Sequence, residues 1–168
     1  MSADRPVAVE RDGIALVVPF PGEIEDLKAA DDDVFEPGPD PRSPLATPTV
    51  RRFAVADLAT GELLGRVNWF AVSHGPTFSC HAWEIGIGLL PTARGRGVGT
   101  LAQRLLVEYL FATTELDRVE ASTDVDNVVE QRALERIGMR REGVLRGAQM
   151  RGGRRRDMVV YGILRADL

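Results

Sequence analysis

Two periodicities divide the chain. Short apolar runs, alternating or continuous, cover Ile14–Val18, Arg52–Asp57, Leu63–Val72 and Phe78–Leu89, and they predict strands that are half or fully buried. Over Val98–Thr113 the period changes. Val98, Leu101, Ala102, Leu105, Leu106, Tyr109 and Leu110 recur at helical spacing and predict an amphipathic helix. A short strand over Arg118–Thr123 follows, then a second helix over Asn127–Ile137 that Gly138 closes at its C′ position. Strands over Met139–Leu145 and Asp157–Leu164 end the sequence, joined by the Arg- and Gly-rich turn Met150–Arg156. The turn Ala59-Thr60-Gly61-Glu62 makes an antiparallel hairpin of the strands on either side of it, and Pro91 stops the strand after them. The order from Arg51 is therefore β-β-β-α-β-α-β-β. Strands and helices share one amphipathic pattern without linker or repeat, so the expected architecture is one α/β domain over residues 1–168 with a mixed, mostly antiparallel sheet.

The first fifty residues read less sharply. Besides Ile14–Val18 they predict a short helix over Glu23–Ala30. The stretch Asp31–Pro48, with five prolines and three successive aspartates, reads as a loop. Such a loop is either a wall of a substrate site or a plain surface excursion.

Composition narrows the class. At 168 residues, 44% hydrophobic and 27% charged, the chain has the balance of an ordinary soluble domain. No apolar run approaches the roughly 20 residues of a membrane span. The N-terminal stretch lacks the basic and apolar regions of a signal peptide. The single cysteine, Cys80, excludes an internal disulfide and fits a reducing cytoplasm. The net charge of −4 is uneven: residues 1–50 carry 11 acidic and 4 basic side chains, and the remainder is net positive. Lys28 is the only lysine. Arginine suits phosphate recognition, but a biased base composition of the genome explains the preference equally well. A solvated hairpin tip accounts for Arg151, Arg154, Arg155 and Arg156 better than RNA binding, because no aromatic residues interleave for base stacking.

The informative segment runs from Glu84 to Thr100: a strand, a loop with Gly95, Gly97 and Gly99 at alternate positions, then a helix. Glycines let successive backbone N–H groups converge on one point. The helix behind them adds its unpaired first-turn donors and the positive end of its dipole. A phosphate fits there, with Arg94 and Arg96 able to add charge-assisted bonds. A Walker A loop is excluded because no Gly-Lys-Ser/Thr is present. A dinucleotide fingerprint is disfavoured, because the glycines are spaced by two and an antiparallel hairpin precedes the strand.

The spacing Arg94-x-x-Gly97-x-Gly99 resembles the acetyl-CoA loop, Q/R-x-x-G-x-G/A, of the GNAT superfamily of N-acetyltransferases. The downstream residues Asp126-Asn127, Ala133-Leu134-Glu135-Arg136-Ile137-Gly138-Met139, Glu142-Gly143-Val144-Leu145-Arg146, Arg156-Asp157-Met158 and Tyr161 are similar to its RimJ/RimL-like branch. The resemblance covers about residues 51–168. It implies the GNAT fold, an α/β structure whose mixed sheet has a splayed central strand pair flanked by helices. It also implies acetyl transfer from acetyl-CoA to a primary amine, by direct attack in a ternary complex and without a metal. Family members are often homodimers; membrane and nucleic acid are not expected partners.

Residue by residue, the resemblance places pantetheine along Leu89 and Leu90, and the pyrophosphate on the N–H groups of Arg96, Gly97, Val98, Gly99 and Thr100 beside Arg94 and Gly95. An N–H near Leu89 would face the thioester oxygen. Asn127 would hydrogen-bond the pantetheine arm, act as a plain N-cap, or do both. Glu84, on the splayed strand, is the expected base, against the alternative of a strand glutamate paired with an arginine. Glu130 stands where many relatives have serine, so the acid for the leaving thiolate is open between Glu130, Ser122 and solvent. A non-catalytic acyl-CoA-binding module, or a phosphate-ligand or RNA-binding domain, are the alternatives to an enzyme. Cys80 reads as a small buried residue whose neighbour His81 points to the other face of a strand. His74 reads as an exposed turn residue and Trp69 as core, with Trp83 either core or pocket wall.

Overall fold

The computed structural model describes residues 5–32, 34, 35 and 48–168. Eleven strands and helices are found among them: β1 (Val7–Arg11), β2 (Ile14–Val17), α1 (Glu23–Ala29), β3 (Arg51–Asp57), β4 (Leu63–Ser73), β5 (His81–Leu89), α2 (Val98–Thr113), β6 (Arg118–Asp124), α3 (Val128–Arg136), β7 (Arg140–Arg151) and β8 (Arg154–Leu164). The strands form one sheet in the order β1-β2-β3-β4-β5-β6-β8-β7. Only β5 and β6 are parallel neighbours; every other adjacent pair is antiparallel. The mixed, mostly antiparallel sheet is thus observed. Of the expected loop Asp31–Pro48, residues 33 and 36–47 lie outside the described residues.

Period-2 alternation along each strand separates two faces. On one face Val67, Trp69, Ile85, Val119, Val159, Tyr161 and Ile163 pack against Ala102, Leu105, Leu106 and Leu110 of α2 and Leu134 of α3. On the other, Ala15, Val17, Ala54 and Ala56 meet Ile24 and Leu27 of α1. Trp69 belongs to the first core, stacked with Phe53 and Tyr109 at centroid separations of 4.9 and 6.2 Å. Trp83 lies at the margin of the same core, its indole N–H donating to Thr114 Oγ1 at 2.9 Å.

Three local expectations are corrected. A strand over Val7–Arg11 pairs with β2 although its apolar signal is weak, because only one side of it is covered. The strand expected from Phe78 begins at His81, after a 3₁₀ turn at Phe78–Cys80. The hairpin turn expected over Met150–Arg156 shrinks to Gly152 and Gly153, both at positive φ, and the strands extend to meet them.

That hairpin is no free tip. Arg156 donates to both oxygens of Asp124 at 2.8 and 2.9 Å, Arg151 also bonds Asp124, and the Asp126 N–H donates to it at 2.8 Å. The Asp124 carboxylate is fully buried. First through Arg156, and through the Asp126 amide and Arg151 as well, its carboxyl is held far below the usual carboxylate range. The expectation of a solvated arginine run fails for these two residues because the end of β6 presents a buried anion that only folding brings beneath them.

Removing one partner of such a cluster leaves the others desolvated and unpaired. Asp124→Asn should lower unfolding stability by about 3 kcal/mol, read from the urea midpoint at neutral pH. Asp124's folded value lies below its unfolded one, so its stabilisation is complete above about pH 4 and is lost on acidification. The gap between wild type and variant should therefore close as the pH falls; a constant gap would contradict the ion cluster.

Candidate active site

The parallel contact between β5 and β6 is short. It holds Trp83, Glu84 and Ile85 opposite Val119, Glu120 and Ala121, and then the strands part. Beyond that point β5 stays with β4 as far as Leu89 opposite Gly65, and β6 stays with β8 as far as Asp124 opposite Met158. A wedge therefore opens in the middle of the sheet.

Two bonds just beyond the β4–β5 register fix which backbone groups face the wedge. Leu90 N–H donates to Leu64 O at 2.9 Å, and His74 N–H donates to Cys80 O at 2.8 Å. Because hydrogen-bonded and non-bonded pairs alternate, Glu84, Gly86 and Gly88 turn their backbone groups to β4. Ile87 turns both of its groups into the wedge and Leu89 its N–H, the Leu89 carbonyl being taken by Arg94 Nε. The Leu90 carbonyl accepts from Ala93 N–H at 2.9 Å, so both polar groups of Leu90 are already bonded. This corrects the placement of Leu90 on the wedge edge: the two-residue alternation assigns that position to Ile87, which sequence reasoning missed. The parity was available in the sequence, but its phase was not.

At the mouth of the wedge stands the N-terminus of α2. Gly95 and Gly97 have φ of 71° and 79°, a region that favours glycine, and Gly97 is the N-cap residue with no side-chain cap on the helix. The first intrahelical bond runs from Leu101 N–H to Gly97 O at 3.1 Å. The N–H groups of Val98, Gly99 and Thr100 precede it and point out of the helix end. Gly99 serves packing: a Cβ there would stand 3.2 Å from Leu89 Cδ1, so its absence brings α2 close under β5. Arg96 is exposed on the loop.

Arg94 is placed otherwise than its neighbours. Its Nε donates to Leu89 O at 3.0 Å, and its guanidinium binds Asp31 at 2.7 Å and Asp32 at 2.7 and 2.8 Å. Asp31 also pairs with the buried Arg66 at 3.0 Å, which lies across the space left by Gly88. The glycine loop is thereby fastened to the end of α1.

Glu84 lies on the face of β5 opposite α2, beside Glu120 of β6. Burial above all raises its carboxyl from the ordinary value; the Ser122 hydroxyl pulls it back, the Glu120 charge raises it further, and His74 lowers it. No arginine among the described residues holds it. Glu120 takes that role instead, bound by Arg118 Nε at 3.0 Å and by His74 Nε2 at 3.0 Å, while Arg118 forms a fork with Glu142 at 2.6 and 2.9 Å. His74 is thus anchored, although its ring remains half exposed. Gly162 makes room for the fork, since a Cβ would stand 2.4 Å from Glu142.

On the other side of the wedge Asn127 caps α3. Its Oδ1 accepts from Glu130 N–H at 3.4 Å and its Nδ2 donates to Thr123 Oγ1 at 3.1 Å. Glu130 is largely buried beside Gln103 of α2, and burial pushes its carboxyl up to about 7 against the opposing pull of the Gln103 amide. Cys80 and His81 form no catalytic pair: His81 Nδ1 is bonded to the carbonyls of Thr77 and Phe78, while Cys80 Sγ meets Thr77 Oγ1 at 3.1 Å. Among the described residues no cluster of His, Cys, Asp or Glu could hold a metal ion, and no helix is long and apolar enough to cross a membrane.

Fold and site define an α/β protein in which a glycine-capped helix end and an opened strand edge face one elongated space. Residues 22–140 match the family model of the acetyltransferase (GNAT) domain, and the chain belongs to that family. It is 31% identical over 115 residues to the probable N-acetyltransferase YjcK of Bacillus subtilis, covering 68% of this chain and 62% of that protein. The chain spans about half to three-fifths of the length of the curated relatives it matches. Mycobacterium smegmatis RimJ, solved in complex with CoA-disulfide, is 25% identical with a TM-score of 0.63 over 71% of this chain and 55% of that one, in keeping with a RimJ/RimL-like type. The ribosomal-protein-S5-alanine acetyltransferase of Vibrio fischeri shares the fold across 95% of this chain and 97% of its own, with a TM-score of 0.76 at 17% identity.

The cap at Asn127 is testable by itself. Asn127→Ala should cost about 1 kcal/mol of stability, the usual worth of an N-cap, measured by chemical denaturation without ligand. An unchanged midpoint would show that the side chain contributes nothing to α3.

Proposed function

We propose that this protein moves acetyl from acetyl-CoA to a primary amine, either a protein N-terminus or a small amine, by direct attack in a ternary complex. The observation that carries the reading is the wedge between β5 and β6, with the Ile87 backbone and the Leu89 N–H on its edge and α2 presenting unpaired amides at its mouth. A diphosphate suits the amides of Val98, Gly99 and Thr100, and an extended arm carrying amides suits a strand edge. The residues present thus fit CoA, which supplies the acyl group as a thioester when bound. In this reading Arg94 serves by holding the loop to Asp31 and Asp32, and Asn127 holds the arm as well as capping α3.

The chain's own groups then divide the chemistry. Leu89 N–H, directed into the wedge, stabilises the negative charge that develops on the thioester oxygen. Glu84 accepts the proton of the attacking amine, directly or through water. Its half-buried carboxylate, held above the ordinary range and without an arginine partner among the described residues, is a better base than an exposed glutamate. The Arg118–Glu120–His74 bonds hold the neighbouring carboxylate in place, so Glu84 is the carboxylate on this part of the face left to the acceptor. A lone Cys80 that needs no oxidised partner accords with work in the cytoplasm.

Thiol release from acetyl-CoA, followed with a panel of N-terminal peptides and small amines, separates an enzyme from a non-catalytic CoA-binding module. Glu84→Gln should lower kcat by about 100-fold or more and leave acetyl-CoA affinity within about twofold. In the wild type the rate should rise with pH as Glu84 loses its proton, the midpoint lying above the ordinary carboxylate range, and the variant should lack that rise. Equal turnover by the variant would remove Glu84 from the mechanism.

A further inference from the structure

The seam between α2 and α3 contains a carboxyl group that acetyl transfer, as proposed above, leaves without a task. Glu130 lies in the first turn of α3, and across from it is Gln103 of α2, only 1% exposed. Gln103 Nε2 donates to Gly99 O at 3.3 Å, while its Oε1 is buried and has no hydrogen-bond partner among the described residues. A buried acceptor without a donor costs stability. An ionised Glu130 can only accept, so it cannot relieve Oε1. A neutral Glu130 can: its O–H donates to Oε1 while its carbonyl accepts the second hydrogen of Nε2, closing a two-point acid–amide pair. Both hydrogens and the oxygen of the Gln103 amide are then satisfied.

We propose that Glu130 takes up a proton when CoA binds and holds it against Gln103, so that cofactor binding is linked to protonation of the seam. The inference rests on the CoA site proposed above. Gly99, the anchor of Gln103, lies in the α2 turn whose amides face the diphosphate, so the ligand's charge arrives about one helical turn from Gln103, the side chain that faces Glu130. One negative charge at roughly 10 Å in a protein-like dielectric raises a carboxyl by about one pKa unit.

The other charges around the seam are engaged or exposed. Arg104 of α2 donates to Arg136 O at 2.8 Å, and Asp124 at the end of β6 is bound by Arg151 and Arg156, the latter also pairing with Asp126. Glu135 accepts from Tyr161 at 3.0 Å, and Arg96 and Arg132 are exposed. Burial and the Gln103 amide are what act on Glu130, which in the free protein titrates near 7. Well below that pH it is already neutral and CoA binding takes up no proton there. Above it, binding must draw one from solution, and affinity falls as the pH rises.

Calorimetry of CoA binding in two buffers of different ionisation enthalpy measures the uptake. It should peak at about half a proton per CoA near pH 7.5, and affinity should weaken about sevenfold between pH 6.5 and 9. Glu130→Gln should still bind CoA and lose both the uptake and its share of the pH dependence. An infrared difference spectrum of wild type with and without CoA at pH 8 should show a carboxylic-acid C=O band that the variant lacks. Binding without uptake, uptake unchanged in Glu130→Gln, or no such band in wild type would each overturn the proposal and leave the CoA site standing. Failure of CoA to bind at all would overturn the site itself, and the proposal with it.

Discussion

The separation of β5 from β6 beyond Ile85 and Ala121 is the constraint on which the remainder of the site depends. Two strands of a continuous sheet do not part without cause, since each unpaired amide forfeits a ladder bond. Here the two ends are drawn to opposite sides. The β5 end is tied to β4 through Leu90 and Leu64 and pressed on α2 at Gly99. The β6 end is tied to the β7–β8 hairpin through Asp124, Arg151 and Arg156. The wedge is the result, and its exposed edge is an acceptor and donor row of fixed register.

The anchors are of different kinds, and the difference matters for function. The Asp124 cluster is buried and multiply bonded, and it holds the strand end and the start of α3 rigidly enough to position Asn127 and Glu130. The contact of Arg94 with Asp32 lies at the surface, that with Asp31 reaches a buried carboxylate, and together they join the glycine loop to the end of α1. Exposed ion pairs contribute little stability individually. Their value here is geometric: they hold the glycine loop to the end of α1.

Charge on the sheet face opposite α2 is arranged by exclusion. Three carboxylates approach one another across β5, β6 and β7, at Glu84, Glu120 and Glu142. Arg118 binds two of them and His74 reinforces one. What is left is a half-buried carboxyl with a neighbouring negative charge, the circumstance in which a glutamate holds its proton more tightly than an exposed one. On the opposite side of the wedge Glu130 is largely shielded and has no counter-ion among the described residues, and its partner is an amide rather than a cation. The two carboxyl groups thus differ in environment, and so in the proton each holds.

Sequence alone determined what depends on local periodicity and backbone conformation. Helix α2 has the bounds its apolar spacing predicts, because a 3.6-residue repeat with glycine before it allows few alternatives. The glycine loop, the hairpin at Gly61, the cap at Asn127 and the placement of Glu84 on a central strand were legible for the same reason. The arginines of the final hairpin were misread, because whether a charge is solvated or buried depends on what the fold brings opposite it, and Asp124 is 27 residues or more away in the chain. Leu90 was placed on the wrong edge because alternation gives parity but only the hydrogen-bond phase against β4 says which parity faces out. The network of Glu120, Arg118, His74 and Glu142, and the Gln103 Oε1 without a partner among the described residues, had no signature along the chain. They exist only where strands and helices distant in sequence meet, and that meeting is what the tertiary structure decided.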